Sequence, residues 1–385
     1  MDFNLSDNQL AFQAAAREFA EKELAPHAAL WDREKTFPIE VIKKSADMGF
    51  CSLYLREDVG GLAGSRLDTA LVFEELAAAC PSTTAYISIH NMVAWMIDEF
   101  GEKGVRQHFV PEMASGKLLG SYCLTEPWSG SDAAGLRAAA QKKGNKWILS
   151  GTKAFVSGAG ETDVLVVMAR TGEKGPKGIS SFVVPTQSKG ISYGENEKKM
   201  GWNSQPTRIV NLDQVEIPLQ NLLGKEGEGF KIAMKGLNGG RINIGACSVG
   251  AAQAAVRHSQ KYMKEREQFG KPLTQFQALR FKIADMVTHV TASRQMVRLA
   301  AFKLDQKDSK APFYCAMAKR LATDLCFEVC DSALQIFGGY GYSQDYPVER
   351  LMRDARVHQI LEGTNEIMRV IVSRGVLEEN LLNFS

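Results

Sequence analysis

The chain has 385 residues, of which 45% are hydrophobic and 23% charged, and its formal net charge is +2. These values are typical of a globular protein with two or three domains, and they lack the basic excess that would attract nucleic acid or an anionic membrane. No apolar run approaches the roughly 20 residues that span a bilayer, and the polar start is unlike a signal or transit peptide, so we expect a cytoplasmic protein.

The seven cysteines include no C-x-x-C pair, and the six histidines lack the spacing of metal ligands. An odd cysteine count also argues against a disulfide framework. Cys326 shares an apolar helical stripe with Ala322, Val329, Ala333 and Ile336, which predicts a place in the core. We therefore assign neither a disulfide nor a metal site.

The first segment, residues 1–116, has the apolar periodicity of helices. Turns rich in glycine or proline, at 58–61 and 80–83, separate one helical pattern from the next. We predict a helical domain with helices at 10–24, 39–48, 68–79 and 85–100.

Residues 117–224 have a different texture, in which short β-branched and aromatic runs alternate with turns rich in Gly, Asn, Asp and Ser. This pattern predicts an antiparallel β domain, a barrel or sandwich of about 100 residues. The predicted strands include 147–149, 164–168, 181–184 and 208–212.

Long helical patterns return in residues 225–385 and predict a bundle of four helices, at 226–265, 274–307, 311–337 and 347–380. The second of these has a sustained apolar stripe at Leu279, Ile283, Met286, Val290 and Val297. The predicted fold class is therefore α+β, with a helical, a β and a second helical domain in that order.

A loop rich in hydroxyl groups, at 122–132, opens the β domain. Small residues let backbone N–H groups approach an anion, and the hydroxyls of Ser129 and Ser131 add donors, so a pyrophosphate or a flat polar ring could rest there. An ordinary loop between two strands is the alternative. The loop is not a G-x-G-x-x-G motif after a strand, which argues against a Rossmann nicotinamide site.

Two elements interrupt the C-terminal helices. Arg266, Phe269 and Gly270 follow a predicted helix, where the arginine could bind a phosphate or pair with its own helix C-terminus. Three glycines between 338 and 341 exceed the single left-handed residue that a helix C-cap needs. The surplus indicates the close approach of a ligand or of another subunit.

Near the C-terminus, Glu362 precedes Gly363 and a predicted helix that Thr364 would cap. A carboxylate just outside a helix start is held in place while its oxygens stay free, so Glu362 is our candidate for a catalytic base. The alternative is a carboxylate that only complements the helix dipole.

Taken together, these motifs resemble the acyl-CoA dehydrogenases, flavoproteins with the same helical, β, helical order. The loop at 123–132 and the run at 335–354 are similar to the two signature sequences of that family, and the resemblance covers essentially the whole chain. Three further runs, at 82–91, 201–208 and 358–362, are most similar to the branch that oxidises isobutyryl-CoA. Butyryl-CoA and 2-methylbutyryl-CoA are the alternative substrates.

The resemblance implies FAD as cofactor. It implies a flavin-lining loop with Tyr122, Leu124, Thr125 and Ser131, followed by Phe155 and Ser157. Further FAD contacts, several of them reaching a neighbouring subunit, would come from Arg266, Phe269, Gln335, Gly338, Gly339, Thr364 and Glu366.

For the acyl-CoA, the resemblance implies contacts from Ser131, Arg241 and Arg369, although Arg241 could also be an ordinary helix cation. Other branches place the base directly before the arginine matched by Arg241, but this chain has Gly240 there, which cannot take a proton. One departure from the family is Trp128, which stands where members commonly have glycine.

The implied reaction removes the α proton of the thioester to Glu362 and passes the β hydride to flavin N5, with the Glu362 N–H and a flavin hydroxyl stabilising the enolate. We expect the bound acyl chain to raise the pKa of Glu362 by desolvation. The implied partners are an electron-transfer flavoprotein and three further copies in a homotetramer. Oxidases of the same fold class, and a non-enzymatic DNA-binding relative, are the competing assignments.

Overall fold

The computed structural model describes residues 4–379 and 381. The N-terminal part is helical, as predicted, and the caps are visible in the sequence: Ser6 with Gln9, and Ser65 with Asp68, form capping boxes at the starts of α1 and α4. A π-helical turn continues α1 over Ala20–Leu24. The helices are α1 Asp7–Phe19, α2 Ala28–Glu34, α3 Ile39–Asp47, α4 Arg66–Ala79, α5 Pro81–Phe100 and α6 Lys103–Ala114.

The middle part is one eight-stranded sheet in the order β6-β7-β3-β2-β4-β5-β8, with β1 beside β4. Its strands are β1 Gly120–Cys123, β2 Ala139–Lys143, β3 Lys146–Ser157, β4 Val164–Arg170, β5 Ile179–Pro185, β6 Ile191–Tyr193, β7 Thr207–Pro218 and β8 Leu222–Leu223. The sheet is mainly antiparallel, as predicted, but β4 pairs in parallel with both β1 and β2. Each of these pairs is joined through intervening chain rather than by a hairpin, so local turn signals do not reveal it.

The C-terminal helices are α7 Gly229–Glu265, α8 Gln277–Asp305, α9 Ala311–Phe337, α10 Val348–Arg356 and α11 Asn365–Leu377. A short hairpin of β9 Glu267–Gln268 and β10 Lys271–Pro272 follows α7. The fourth predicted helix, 347–380, is wrong as a single element, because a 3-10 turn and the left-handed residues Glu362 and Gly363 separate α10 from α11.

Helix α7 is the central element and packs against α4, α5, α8 and α9. Small residues make this contact possible: a methyl group on Gly250 would lie 2.2 Å from the carbonyl oxygen of Glu74 in α4. All seven cysteines are buried and free, which confirms Cys326 as a core residue. Within the described part of the chain, no helix is long and apolar enough to cross a membrane.

Candidate active site

Glu362 lies on a strained turn between α10 and α11. Its φ is 58° and that of Gly363 is 91°, and for a residue other than glycine this left-handed conformation costs on the order of 1 to 3 kcal/mol. Thr364 caps α11, as predicted, because its Oγ1 accepts the N–H of Ile367 at 3.3 Å. The strain persists because the surrounding residues hold the turn.

The carboxylate of Glu362 points at Gly240 of α7. A methyl group added to Gly240 would lie 2.2 Å from Oε2, so only glycine leaves room for the side chain. Oε2 is buried and has no hydrogen-bond partner among the described residues. Burial raises the pKa of Glu362 to about 7, while the charges of Arg241 and Lys319 oppose the rise. The protein itself causes this shift, and a bound acyl chain is not required for it.

Two buried cations bind successive carbonyl oxygens of this turn. Arg241 Nε donates to the carbonyl oxygen of Glu362 at 3.3 Å, and Lys319 Nζ donates to that of Gly363 at 2.9 Å. Arg241 also donates to Oδ1 of Asn238 at 2.9 Å. The turn is therefore tied to α7 on one side and to α9 on the other.

Sequence reasoning missed Lys319. The signal was present, since the lysine interrupts an apolar stretch of α9 and lies one helical turn from Ala316 and from Ala322, both fully buried. A lysine on the apolar face of a helix needs a partner inside the protein, and this was the available clue.

Tyr122 lies in β1, close enough to the candidate base Glu362 for their charges to interact. Its hydroxyl is buried without a hydrogen-bond partner among the described residues. Burial raises the pKa of this hydroxyl well above its usual value, and the nearby charge of Glu362 adds to the rise. An unpaired buried hydroxyl is a free donor for a ligand.

The predicted flavin loop forms a tight hairpin. Glu126 and Ser129 exchange backbone hydrogen bonds of 3.0 and 3.1 Å, and Trp128 lies at the tip with half of its surface exposed. The guanidinium of Arg137 lies 5.3 Å from the centre of the indole ring. Ser131 is exposed just beyond the hairpin. The bulky Trp128 is therefore accommodated at the surface, outside the core of the loop.

The other predicted flavin contacts lie directly after β1 and in β3. Leu124 is buried, and the carbonyl oxygen of Thr125 accepts the N–H of Ala154 in β3 at 2.9 Å. Phe155 has a φ of 54° and is 68% exposed, and Ser157 ends β3. A large aromatic ring turned outward in this way offers a face to a flat ligand.

A buried ion pair between Lys153 and Glu126 holds the predicted flavin loop in place, and sequence reasoning missed it as well. Lys153 Nζ lies 2.8 Å from Glu126 Oε1, and both side chains are fully buried. Lys153 donates to the carbonyl oxygen of Leu124, and the carboxylate of Glu126 accepts the N–H groups of Arg137 at 2.6 Å and Ala138 at 2.9 Å. The pair thus fixes both ends of the loop.

The second predicted FAD region is a separate groove of about 620 Å³ beside the C-terminal end of α9. Its walls include Arg266, Gly338 and Gly339, but neither Glu362 nor the flavin loop. A methyl group on either glycine would meet nothing within 4 Å, which leaves the backbone open to a ligand. Gln335 and Phe269 are both exposed. Gln335 lies in the last turn of α9, and Phe269 lies at the tip of the β9–β10 hairpin.

The remaining predicted contacts lie on the first turns of α11. Glu366 is exposed, and Arg369 lies 3.7 Å from it and 3.3 Å from Asp324 of α9. The guanidinium of Arg369 is therefore engaged with two carboxylates and half exposed. Of the three predicted acyl-CoA contacts, Arg241 is buried and bonded to the carbonyl oxygen of Glu362, while Arg369 and Ser131 are more exposed.

A neutral histidine in the 3-10 turn after α10 connects the 201–208 run to α7. Trp202 donates its indole N–H to His358 Nε2 at 3.3 Å, and His358 Nδ1 lies 2.7 Å from the hydroxyl of Ser248 in α7. Burial lowers the pKa of His358 to about 3. The backbone N–H of Trp202 also donates to Asp354 at 2.6 Å, so α10 is fixed to the 201–208 run.

Three family descriptions match this chain. They are the N-terminal domain of acyl-CoA dehydrogenase over residues 6–117, the middle domain over 121–215 and the C-terminal domain over 227–377.

Known proteins agree with this match over nearly the whole chain. The mitochondrial isobutyryl-CoA dehydrogenase of Bos taurus is 52% identical over 97% of this chain and 90% of its own length, and that of Dictyostelium discoideum is 52% identical over 98% and 91%. The solved structure of butyryl-CoA dehydrogenase from Megasphaera elsdenii matches with a TM-score of 0.95 at 39% identity, over 98% of this chain and 100% of that one.

The residues fit the cofactor of this family, FAD, because the positions predicted to contact it include an unpaired buried tyrosine, an exposed phenylalanine and an open diglycine groove. The predicted α+β fold is confirmed as well. The chain belongs to the acyl-CoA dehydrogenase family of FAD-dependent oxidoreductases.

Proposed function

We propose that this enzyme dehydrogenates a short branched acyl-CoA, with isobutyryl-CoA favoured, to the corresponding 2-enoyl-CoA. The observation that carries the substrate is the 52% identity to two isobutyryl-CoA dehydrogenases over nearly the full length. Butyryl-CoA and 2-methylbutyryl-CoA remain the alternatives, since one methylene in an apolar pocket is worth only about 1 to 3 kcal/mol.

Glu362 is the proposed base that takes the α proton. Protons α to a thioester are weakly acidic, so a base that titrates near neutral pH suits the task better than an ordinary carboxylate. The raised pKa, the unpaired Oε2 and the space above Gly240 support this role. Bound FAD would accept the β hydride.

The residues that would hold the thioester oxygen lie on the same turn. The N–H of Glu362 is the proposed donor to the developing enolate, and the left-handed conformation fixes its direction. Arg241 and Lys319, which bind the carbonyl oxygens of the turn, would keep this donor in place during the proton transfer. Ser131, Arg241 and Arg369 are the proposed contacts to acyl-CoA.

The proposed FAD contacts form two groups. The flavin end would rest on Tyr122, Leu124, Thr125, Ser131, Phe155 and Ser157, with Thr364 and Glu366 on the other side. The phosphate and adenosine end would use Arg266, Phe269, Gln335, Gly338 and Gly339. Because their groove does not include the flavin loop, contact with the FAD of a neighbouring copy in a homotetramer would explain the arrangement.

Three further expectations accompany this function. We propose an electron-transfer flavoprotein as the electron acceptor. Cytoplasmic localisation stays a prediction, since both isobutyryl-CoA dehydrogenases compared above are mitochondrial. The domain boundaries, 1–116, 117–224 and 225–385, are supported by family matches that end at 117 and 215 and begin at 121 and 227.

The substrate is tested by adding each of the three thioesters anaerobically to the purified yellow enzyme and following the loss of the flavin absorbance. We expect isobutyryl-CoA to reduce the flavin with the highest kcat/KM. Faster reduction by butyryl-CoA or 2-methylbutyryl-CoA would keep the reaction class and reject isobutyryl-CoA as the preferred substrate.

A further inference from the structure

Lys319, which binds the carbonyl oxygen next to Glu362, is a fully buried lysine whose charge has no part in the proposed function as described above. It lies in the middle of α9, and its ammonium group donates to the carbonyl oxygen of Gly363 at 2.9 Å and to Oδ1 of Asn365 at 2.8 Å. Both partners are neutral oxygens. Burying a cation destabilises a protein strongly unless its surroundings compensate the charge, so the position of Lys319 needs a physical explanation.

The position of its two partners supplies one reason. Gly363 follows the left-handed Glu362, and Asn365 is the first residue of α11, so Lys319 binds both sides of the junction that carries the base. Asn365 continues the connection, because its amide donates to Thr323 Oγ1 at 2.8 Å and to Asp324 Oδ1 at 2.6 Å. The start of α11 is thereby fixed to two consecutive turns of α9.

The charge supplies a second reason. The positive charges of Arg241 and Lys319 favour the ionised form of Glu362, against the effect of burial. Burial lowers the pKa of Lys319 to about 7, and the carboxylate of Glu362 is the strongest influence in the other direction. Each group therefore favours the charged form of the other.

Other ionisable groups also act on this pair and set the background for any titration. The charge of Glu362 raises the pKa values of Tyr54, Tyr122 and Cys247, which are therefore neutral, and it also acts on Arg241 of α7. Those that interact with Lys319 are Arg241, Asp324, Glu366 and the neutral His358. Within these sets, Lys319 and Arg241 are the cations that act on the carboxylate.

We propose that Lys319 is a positioning residue for the catalytic base: it holds the Glu362–Gly363 turn through two hydrogen bonds and keeps Glu362 ionised through its charge. The proposal rests on the proposed role of Glu362 as base. It separates two contributions, because the hydrogen bonds act on the geometry of the turn and the charge acts on the protonation of the carboxylate.

Three substitutions distinguish these contributions. Lys319→Arg keeps the charge, Lys319→Gln keeps a hydrogen-bond donor without the charge, and Lys319→Met removes both. Lys231→Met, at an exposed position of α7, is the control for loss of one positive charge. The pH at which Glu362 titrates is read by infrared spectroscopy of the carboxyl band in the FAD-loaded enzyme without substrate, and Glu362→Gln identifies that band. This readout does not depend on which thioester is the substrate.

We expect Lys319→Gln and Lys319→Met to raise the titration midpoint of Glu362 by about one pH unit or more, because an opposite charge nearby is lost. Lys319→Arg and Lys231→Met should leave it within a few tenths of a unit. The acidic limb of the kcat/KM profile should move in parallel, and only Lys319→Met should also lower kcat on the high-pH plateau by tenfold or more.

An unchanged midpoint in Lys319→Gln would overturn the proposal, even if Lys319→Met does not yield folded enzyme. A midpoint that shifts equally in Lys319→Gln and Lys319→Arg would overturn it too, since a purely structural lysine predicts that result. Failure of Glu362 as the base would appear separately, as full activity of Glu362→Gln.

Discussion

Gly240 and Glu362 lie so close that a methyl group on the glycine would come within 2.2 Å of the carboxylate oxygen Oε2. Helix α7 therefore contains a glycine opposite the proposed base, although alanine would suit a helix interior better by roughly 1 kcal/mol. The missing side chain of Gly240 leaves the space that the carboxylate of Glu362 occupies.

Gly240→Ala should displace the carboxylate and lower kcat by about tenfold to a hundredfold, with FAD content unchanged. The added methyl group cannot remain at 2.2 Å, so the side chain or the turn must move, and a misplaced base transfers protons more slowly. Steady-state kinetics beside the flavin-to-protein absorbance ratio measure this. Gly104→Ala in α6, where a methyl group meets nothing within 4 Å, is the matched control and should keep full activity. Equal activities of the two variants would contradict the account.

The reaction should have an acidic limb near neutral pH. Burial raises the pKa of Glu362 to about 7, and only the ionised form can accept a proton. Thus kcat/KM, which reports groups of the free enzyme, should be level above pH 7 and fall about tenfold for each unit below it. A profile of kcat/KM against pH checks this, and an inflection near pH 4 to 5 would show an unperturbed carboxylate instead.

Lys153→Met should weaken both folding and FAD binding. It leaves the carboxylate of Glu126 buried without its cation, which costs about 3 to 5 kcal/mol in comparable cases. Since the pair fixes both ends of the flavin loop, the variant should lose FAD on gel filtration. Thermal unfolding and the bound-flavin ratio are the measurements.

The double variant Glu126→Gln with Lys153→Met tests the cause. It removes both charges, so it should recover much of the stability that the single variant loses. If the double variant is as unstable as the single one, packing and not the unpaired charge explains the loss.

His358→Gln should change the dependence of stability on pH. His358 has a folded pKa of about 3, below its unfolded value of 6.5, so its contribution to stability is present above pH 6.5 and is lost as the pH falls toward 3. The variant should be less stable at pH 7 by about 1 to 3 kcal/mol, because buried hydrogen bonds are lost. The difference from the native enzyme should narrow as the pH falls from 6.5 to 4. Denaturant unfolding at several pH values measures it, and a constant difference would contradict a neutral, buried His358.

The helical and β segments could be predicted because they depend on local periodicity, and the capped turn at Thr364 because capping is a local signal. The parallel pairing of β1 with β4 could not, since it joins residues such as Tyr122 and Val166 that are far apart in the chain. The helical pattern predicted at 347–380 covers both α10 and α11, and the turn predicted ahead of Thr364 is the point at which the two helices separate.

The candidate base could be proposed from its turn, but its supports could not. Lys319 and the pair Lys153 and Glu126 act through contacts between distant segments, and the sequence marks only Lys319, by its place on the apolar face of α9. Because they are buried, these residues fix the positions of the loop and the turn and act on nearby charges. Whether a given lysine is buried depends on the packing of distant segments, which one sequence does not show.

The central claim is that Glu362 removes the α proton, and single-turnover flavin reduction by isobutyryl-CoA in Glu362→Gln tests it most directly. The variant keeps the shape of the side chain without a proton acceptor, and Glu378→Gln, an exposed carboxylate beyond α11, is the control. We predict that Glu362→Gln binds FAD normally but reduces it on the order of a thousandfold or more slower, while Glu378→Gln matches the native enzyme. Flavin reduction at the native rate in Glu362→Gln would contradict the account.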